Sequence, residues 1–265
     1  RNTAWRQEIG VDAYPRPNVN GPRVYMAQCV SNKYSNNSWA EHGHVYGADG
    51  NCSLCGAAGC AQVNGVFQIA NKADLDFFSN YVNTTNSSAK AVLVADIVYN
   101  DNLFGKITLD SVNVATVNEE GTVSTWQPIA NVNNFTGSFD GQGHSITGLY
   151  TNESSPAGLF SLTGGGSTIA NVVIKDSYIR GTICGGIVAK TDGSTITNCA
   201  VENSYVVGSQ SAGTGGIVGN SASVNTVIQL CYNTSTIFSS KSDVGGILGY
   251  GYATIKNCYN QGSAH

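Results

Sequence analysis

The chain has 265 residues, enough for one large domain or two small ones. Only 11% of residues are charged, the formal net charge is −4 and no basic stripe is present, which excludes an electrostatic nucleic-acid surface. No run of about 18 apolar residues occurs, so no membrane-spanning helix is expected. A hydrophobic share of 41% with 32 glycines and five prolines fits a turn-rich β scaffold rather than a disordered chain. The sequence starts at Arg1 without a signal peptide, which reads as a chain cut from a longer precursor.

Residues 1–63 carry Pro15, Pro17 and Pro22, several glycines and half of the eight cysteines, and little regular structure is expected there. Cys52 and Cys55 form a Cys-x-x-Cys knuckle followed by Gly56, with Cys29, His42 and His44 upstream. One Cys, one His and the Cys-x-x-Cys pair complete a tetrahedral site of three thiolates and one imidazole, the donor set of structural zinc. Such a closed site would hold a core-poor stretch folded. The competing reading is a disulfide, Cys29 or Cys60 pairing with Cys52 or Cys55, as an oxidising location favours.

Residues 64–126 predict a helix and the first strands. Asn71 is an N-cap with Asp74 three positions on, a weak capping box. Leu75, Phe78 and Val82 follow at helical spacing, Phe77 and Tyr81 widen the stripe, and Asn83 to Ser88 are polar turn residues that end it. Val92-Leu93-Val94-Ala95-Asp96-Ile97 reads as one buried strand. A helix placed here suits a cap over the open end of a repeat array.

Residues 127–265 repeat. Gly158-Leu159-Phe160, Gly186-Ile187-Val188, Gly216-Ile217-Val218 and Gly246-Ile247-Leu248 recur at intervals of 28, 30 and 30 residues. Ile169-x-x-Val172, Ile196-x-x-Cys199, Ile228-x-x-Cys231 and Ile255-x-x-Cys258 follow, with Ile146-x-x-Leu149 as an earlier member of the same series. A third apolar position is Ile179, Val206 and Ile237. Each unit thus offers three short β segments that bury nothing alone, so units stack about 4.8 Å apart. The expected fold is all-β: a right-handed parallel β-helix with a short N-terminal helical cap and an irregular, loop-rich insert. Antiparallel hairpins do not explain why the same residue types recur at the same phase, and propeller blades are longer, about 40 to 50 residues.

Cys199, Cys231 and Cys258 share one repeat position, and three equivalent thiols cannot all pair; they read as reduced, inward-facing fillers. Asn171, Asn198 and Asn257 align and are expected to hydrogen-bond from coil to coil. For catalysis, Asp140 and His144 stand beside Gly141 and Gly143, a turn. Asp176 and Glu202 fall at nearly equivalent positions on adjacent coils, and carboxylates about 5 to 9 Å apart suit glycoside hydrolysis. Neighbouring coils bring any two similar residues that close, so no catalytic residue is assigned. Tyr150, Tyr178, Tyr205, Tyr232, Tyr250, Tyr252 and Tyr259 supply rings for a sugar or a protein partner, or cover coil edges.

From residue 66 onward the text "FQIANKADLDFFSNYVN", "VLVADI", "WQPIA", "FTGSFDGQGHSITGLY", "GLFSLTGGGSTIANVVI", "GGIVAKTDGSTITNC", "GGIVGN" and "GGILGYGYATIKNCYNQGS" resembles, in order, bacterial surface proteins with GLUG repeats. Residues 1–22 resemble the end of a preceding module, so the chain straddles a junction, and "NCYNQGSAH" stops where another coil is expected. Ala189 replaces the family's Gly in one repeat and Leu230 its Asn in another. The resemblance implies a β-helix and a cell-surface or secreted location, but no single activity. It also favours His44 over His42, giving Cys29, His44, Cys52 and Cys55 as the zinc ligands. The resulting expectation is a non-catalytic structural or adhesive segment, acting as a stalk or binding a glycan or host surface protein, beside adjacent repeat modules of the same chain. The alternative is a β-helix carbohydrate-active enzyme, a polysaccharide lyase or glycosidase.

Overall fold

The computed structural model describes residues 3–6, 16–21, 59–152, 155–210, 212–241 and 243–265. The chain divides into two compact units, Arg1–Gly65 and Val66–His265. In the first, strands Thr3–Arg6 and Arg16–Gly21 pair antiparallel, Trp5 opposite Pro17, with a register shift between Thr3 and Trp5. This short ladder lies within the stretch where little regular structure is expected, and Pro17 sits on one of its strands.

The second unit is a parallel β-solenoid. Seven of its strands form the first face of the coil: Val66–Ile69, Lys90–Leu93, Ser138–Asp140, Thr168–Ala170, Thr195–Thr197, Val227–Gln229 and Thr254–Lys256. Every one of these pairings is parallel and in register, so Phe67, Ala91, Phe139, Ile169, Ile196, Ile228 and Ile255 form one inward column. The second face stacks Ile97, Ile146, Ile174, Val201, Asn233 and Asn260. The third stacks Thr151, Ile179, Val206 and Ile237. Gly185, Gly215 and Gly245 form a narrow fourth face, and Phe160, Val188, Val218 and Leu248 a fifth. Leu159, Ile187 and Ile217 are fully buried; Leu159 N donates to the Gly186 carbonyl, Ile187 N to that of Ile217 and Ile217 N to that of Ile247, from coil to coil. Each such buried aliphatic side chain contributes about 1.5–3 kcal/mol.

Ile146 belongs to a different column from the one its Ile-x-x-Leu spacing suggested. It pairs with Ile174, and the earlier member of the Ile169 series is Phe139. The reason is that two successive corners use the same local solution: a strand end, a left-handed residue, then an inward residue. At the first corner Asn171, Asn198, Leu230 and Asn257 have φ between 51° and 55°. At the second, Gly148, Asp176 and Asn203 have φ of 77°, 46° and 44°. Ile146-Thr147-Gly148-Leu149 is a second corner with a first-corner spelling. The Gly-Gly-Ile segments have another cause: a Cβ on Gly186 would come within 2.6 Å of the Gly216 carbonyl, and one on Gly216 within 2.1 Å of the Gly246 carbonyl.

The helix forms as its sequence dictates. α1 spans Lys72–Thr84, Asn71 accepts from Asp74 N at 3.0 Å, and Asp74 Oδ2 accepts in return from Ala70 N. Leu75, Phe78 and Val82 are buried. Phe78 meets Phe135 and Phe139 at ring distances of 6.4 and 6.1 Å, so the helix closes the interior beside the first-face column. The run 92–97 is not one strand. Lys90–Leu93 and Ile97–Val98 lie on different faces, with exposed Val94 and Asp96 at the corner between them, where Asp96 accepts from Ser145 N. No helix among the described residues is long and apolar enough to cross a membrane.

Candidate functional site

Cys29, His44, Cys52 and Cys55 lie outside the described residues, as do the disulfide pairings that involve them. The residues singled out for catalysis are described, and each is held by its neighbours. Asp140 accepts from Gln142 N and from Asn171 Nδ2, both at 2.8 Å. His144 sits 3.4 Å from the exposed Asp96, whose carboxyl is pulled below its ordinary value first by the Ser145 backbone bond and further by His144. Asp176 and Glu202 do not share a register position, because Glu202 pairs with Lys175, and Asp176 is the corner residue beyond. Asp176 accepts from Asn203 Nδ2, while Glu202 accepts from the Tyr232 hydroxyl and lies 3.5 Å from Lys175 Nζ.

The corners carry ladders. Outside the first corner, Asn198 Nδ2 donates to Asn171 Oδ1 at 2.8 Å and Asn171 passes the chain to Asp140; Leu230 interrupts it before Asn257. Inside that corner Cys199 and Cys231 are buried, Cys258 on the last coil is half-buried, and all three are free thiols. Cys231 N donates to Cys258 Sγ at 3.4 Å. Burial pushes the Cys199 thiol well up, so it stays neutral. Inside the second corner serines do the same work with shorter bonds. Leu149 N donates to Ser177 Oγ, Ser177 N to Ser204 Oγ and Ser204 N to Ser235 Oγ, at 2.9, 2.9 and 3.0 Å. Ser177, Ser204 and Ser235 recur as regularly as the cysteines, and that spacing was the available signal.

The tyrosines divide by position. Tyr150 and Tyr178 are buried on the outside of the third face beneath an excursion made of α2, Leu103–Lys106, and an antiparallel pair, Ile107–Leu109 with Ala115–Val117. Tyr178 clamps it, accepting from Ala115 N and donating to the Asn113 carbonyl, both at 2.9 Å. Tyr232 and Tyr259 stack face to face at 5.1 Å, and Tyr250, Tyr252 and Tyr259 are exposed.

A cleft of about 560 Å³ opens between α1 and residues 125–132. Asp76 and Asn80 line the helix wall; Thr125, Gln127 and Asn131 line the other. Two helix residues fix the separation. Ser79 Oγ donates to the Gln127 carbonyl at 2.7 Å, Asn83 Nδ2 donates to the Pro128 carbonyl at 3.2 Å, and Asn131 N donates to Asn83 Oδ1 at 2.8 Å. Tyr99 forms the end, its hydroxyl 2.8 Å from Asp76 Oδ1 and its ring edge-on to the buried Trp126. Burial first, and then Asp76, hold the Tyr99 hydroxyl protonated far above its ordinary range. The sequence signal for this cleft was Ser79, a small polar residue inside the apolar stripe of α1, which demands a partner from another segment.

No family model matches the chain, and no curated protein matches it. A solved structure from Bacteroides ovatus, described as a "putative immunoglobulin A1 protease", aligns over 77% of this chain and 77% of that one, with 15% identity and a TM-score of 0.37. A likeness that distant bears on neither the fold nor the activity of this chain.

Proposed function

We propose that this chain is a structural and adhesive segment of a bacterial cell-surface or secreted protein, of the GLUG-repeat kind, and that its coils do no catalysis. The observation that carries the reading is the ladders: Asp140, Asp176 and Glu202, the coil carboxylates best placed for chemistry, are each engaged by a neighbouring coil's side chain. A catalytic acid or base must instead reach substrate. Stacked units need only their neighbours, so length comes at little cost and suits a projecting stalk or contact face. In the first unit, the Cys-x-x-Cys knuckle supports one structural zinc held by Cys29, His44, Cys52 and Cys55; elemental analysis of chain prepared without chelator would find one metal, lost in Cys52→Ser. The functional reading is tested by a glycan and host-protein binding array run beside a polysaccharide degradation screen. Saturable binding without turnover supports it. Turnover that disappears in Asp176→Ala or Glu202→Ala replaces it with a carbohydrate-active enzyme.

A further inference from the structure

We infer that the cleft between α1 and residues 125–132 is a binding site for a neutral saccharide, an inference that rests on the adhesive role proposed above. The side-chain amides of Asn80, Gln127 and Asn131 make no hydrogen bond to other described residues, and all three residues are exposed to the cleft. An amide presents two donors and an acceptor, so three of them on facing walls match the mixed donor and acceptor edge of a polyol. Asp76, whose Oδ1 is held by Tyr99, adds an acceptor through Oδ2, and its charge sets the sign of the ligand, since an anionic sugar would meet it at close range. The walls do not need to be assembled on binding. Ser79 and Asn83 already fix their spacing, and Tyr99 and Trp126 brace the end, which lowers the ordering cost that usually weakens polar recognition. Val132, 69% exposed on the rim, offers an apolar surface for the C–H face of a ring. The volume lies within the range of small-ligand sites, roughly 300–1,000 Å³.

The experiment is saturation-transfer NMR on the intact chain with lactose, N-acetyllactosamine, mannotriose and cellotriose, and with 3′-sialyllactose as the anionic member. Asn80→Ala/Asn131→Ala is compared with Val224→Ala, an exposed residue away from the cleft, and equal thermal midpoints establish that all three chains are folded. The expected result is saturable binding of at least one neutral sugar, weakened about tenfold or more in the double variant, as for losing two hydrogen bonds. It is unchanged in Val224→Ala and weaker or absent for sialyllactose. Neutral-sugar binding that the double variant leaves intact overturns the cleft but not the adhesive reading. So does an array in which a host protein binds and none of these sugars does. A sugar that is held through Asn80 and Asn131 and then cleaved keeps the cleft and removes the non-catalytic reading.

Discussion

Asn171 and Asn198 join stacked coils, whereas Asn80 on α1 and Asn131 on the coil segment facing it line the cleft, and the two pairs use the same side chain for different ends. On the coils the amides bridge successive turns, and their backbones sit at positive φ, a conformation asparagine tolerates better than most residues. Between α1 and the facing coil segment, the side-chain amides face a cleft whose width is set by other residues, Ser79 and Asn83. The contrast separates polarity that specifies a fold from polarity left available to a ligand. On the coils, Asn171, Asn198 and the second-corner serines each find a partner on the adjacent coil, a strand spacing away. A single cap has no such neighbour.

The largest way to break the cap is Phe78→Ala, which empties the contact with Phe135 and Phe139 and is expected to cost about 3–5 kcal/mol in chemical denaturation. The coils are tested by Ser204→Ala. It leaves the buried Ser177 N–H without its acceptor, at an expected cost of about 1–3 kcal/mol. Ser204→Cys should lose less, because it rebuilds at the second corner the thiol ladder of the first. Equal losses for Ala and Cys would mean the serine ladder matters only as packing.

Alkaline pH reads the buried thiols and phenols of the coils. Burial pushes Cys184 from about 9 to about 12, and pushes Tyr178 up to about 12. A raised folded value means stability that is full below the unfolded value and is lost as pH climbs through the folded one. For Cys184 the window therefore runs from about 9 to about 12, at roughly 1 kcal/mol per unit. Denaturation curves above pH 9 should fall more gently in Cys184→Ala. Thiol labelling of native protein should be slow at Cys199 and Cys231, faster at the half-buried Cys258, and complete after unfolding. A gain is expected from Leu230→Asn: it relieves an exposed leucine at a φ of 55° and joins Asn198 to Asn257, for about 1 kcal/mol. A neutral result would show that the asparagine ladder adds nothing beyond its backbone.

Much of the solenoid was legible because its columns are written in period. Ile169, Ile196, Ile228 and Ile255, and Ile179, Val206 and Ile237, stack as their spacing implied. Misassignments occurred where different backbone sites share one local spelling, as with Ile146, or where an apolar run crosses a corner, as from Val92 to Ile97. The excursion over Tyr150 and Tyr178 was not legible, and the cleft left only Ser79 as its sign, since both depend on contacts between segments 23 to 65 positions apart that no repeat announces. The carboxylate pair was given no catalytic role, and the structure places Asp176 one residue beyond the Lys175 position that pairs with Glu202, at a corner.

The division between ladder and cleft is tested most directly by one matched measurement of stability. Asn171→Gly/Asn198→Gly removes the ladder amides without placing a Cβ at positive φ, and Asn80→Ala/Asn131→Ala removes the cleft amides. Under chemical denaturation the ladder pair should lose about 1–2 kcal/mol, and the cleft pair should stay within about 0.5 kcal/mol of the parent chain. Equal losses, or a larger loss from the cleft pair, would contradict the account, because the cleft amides would then be holding the fold rather than waiting for a ligand.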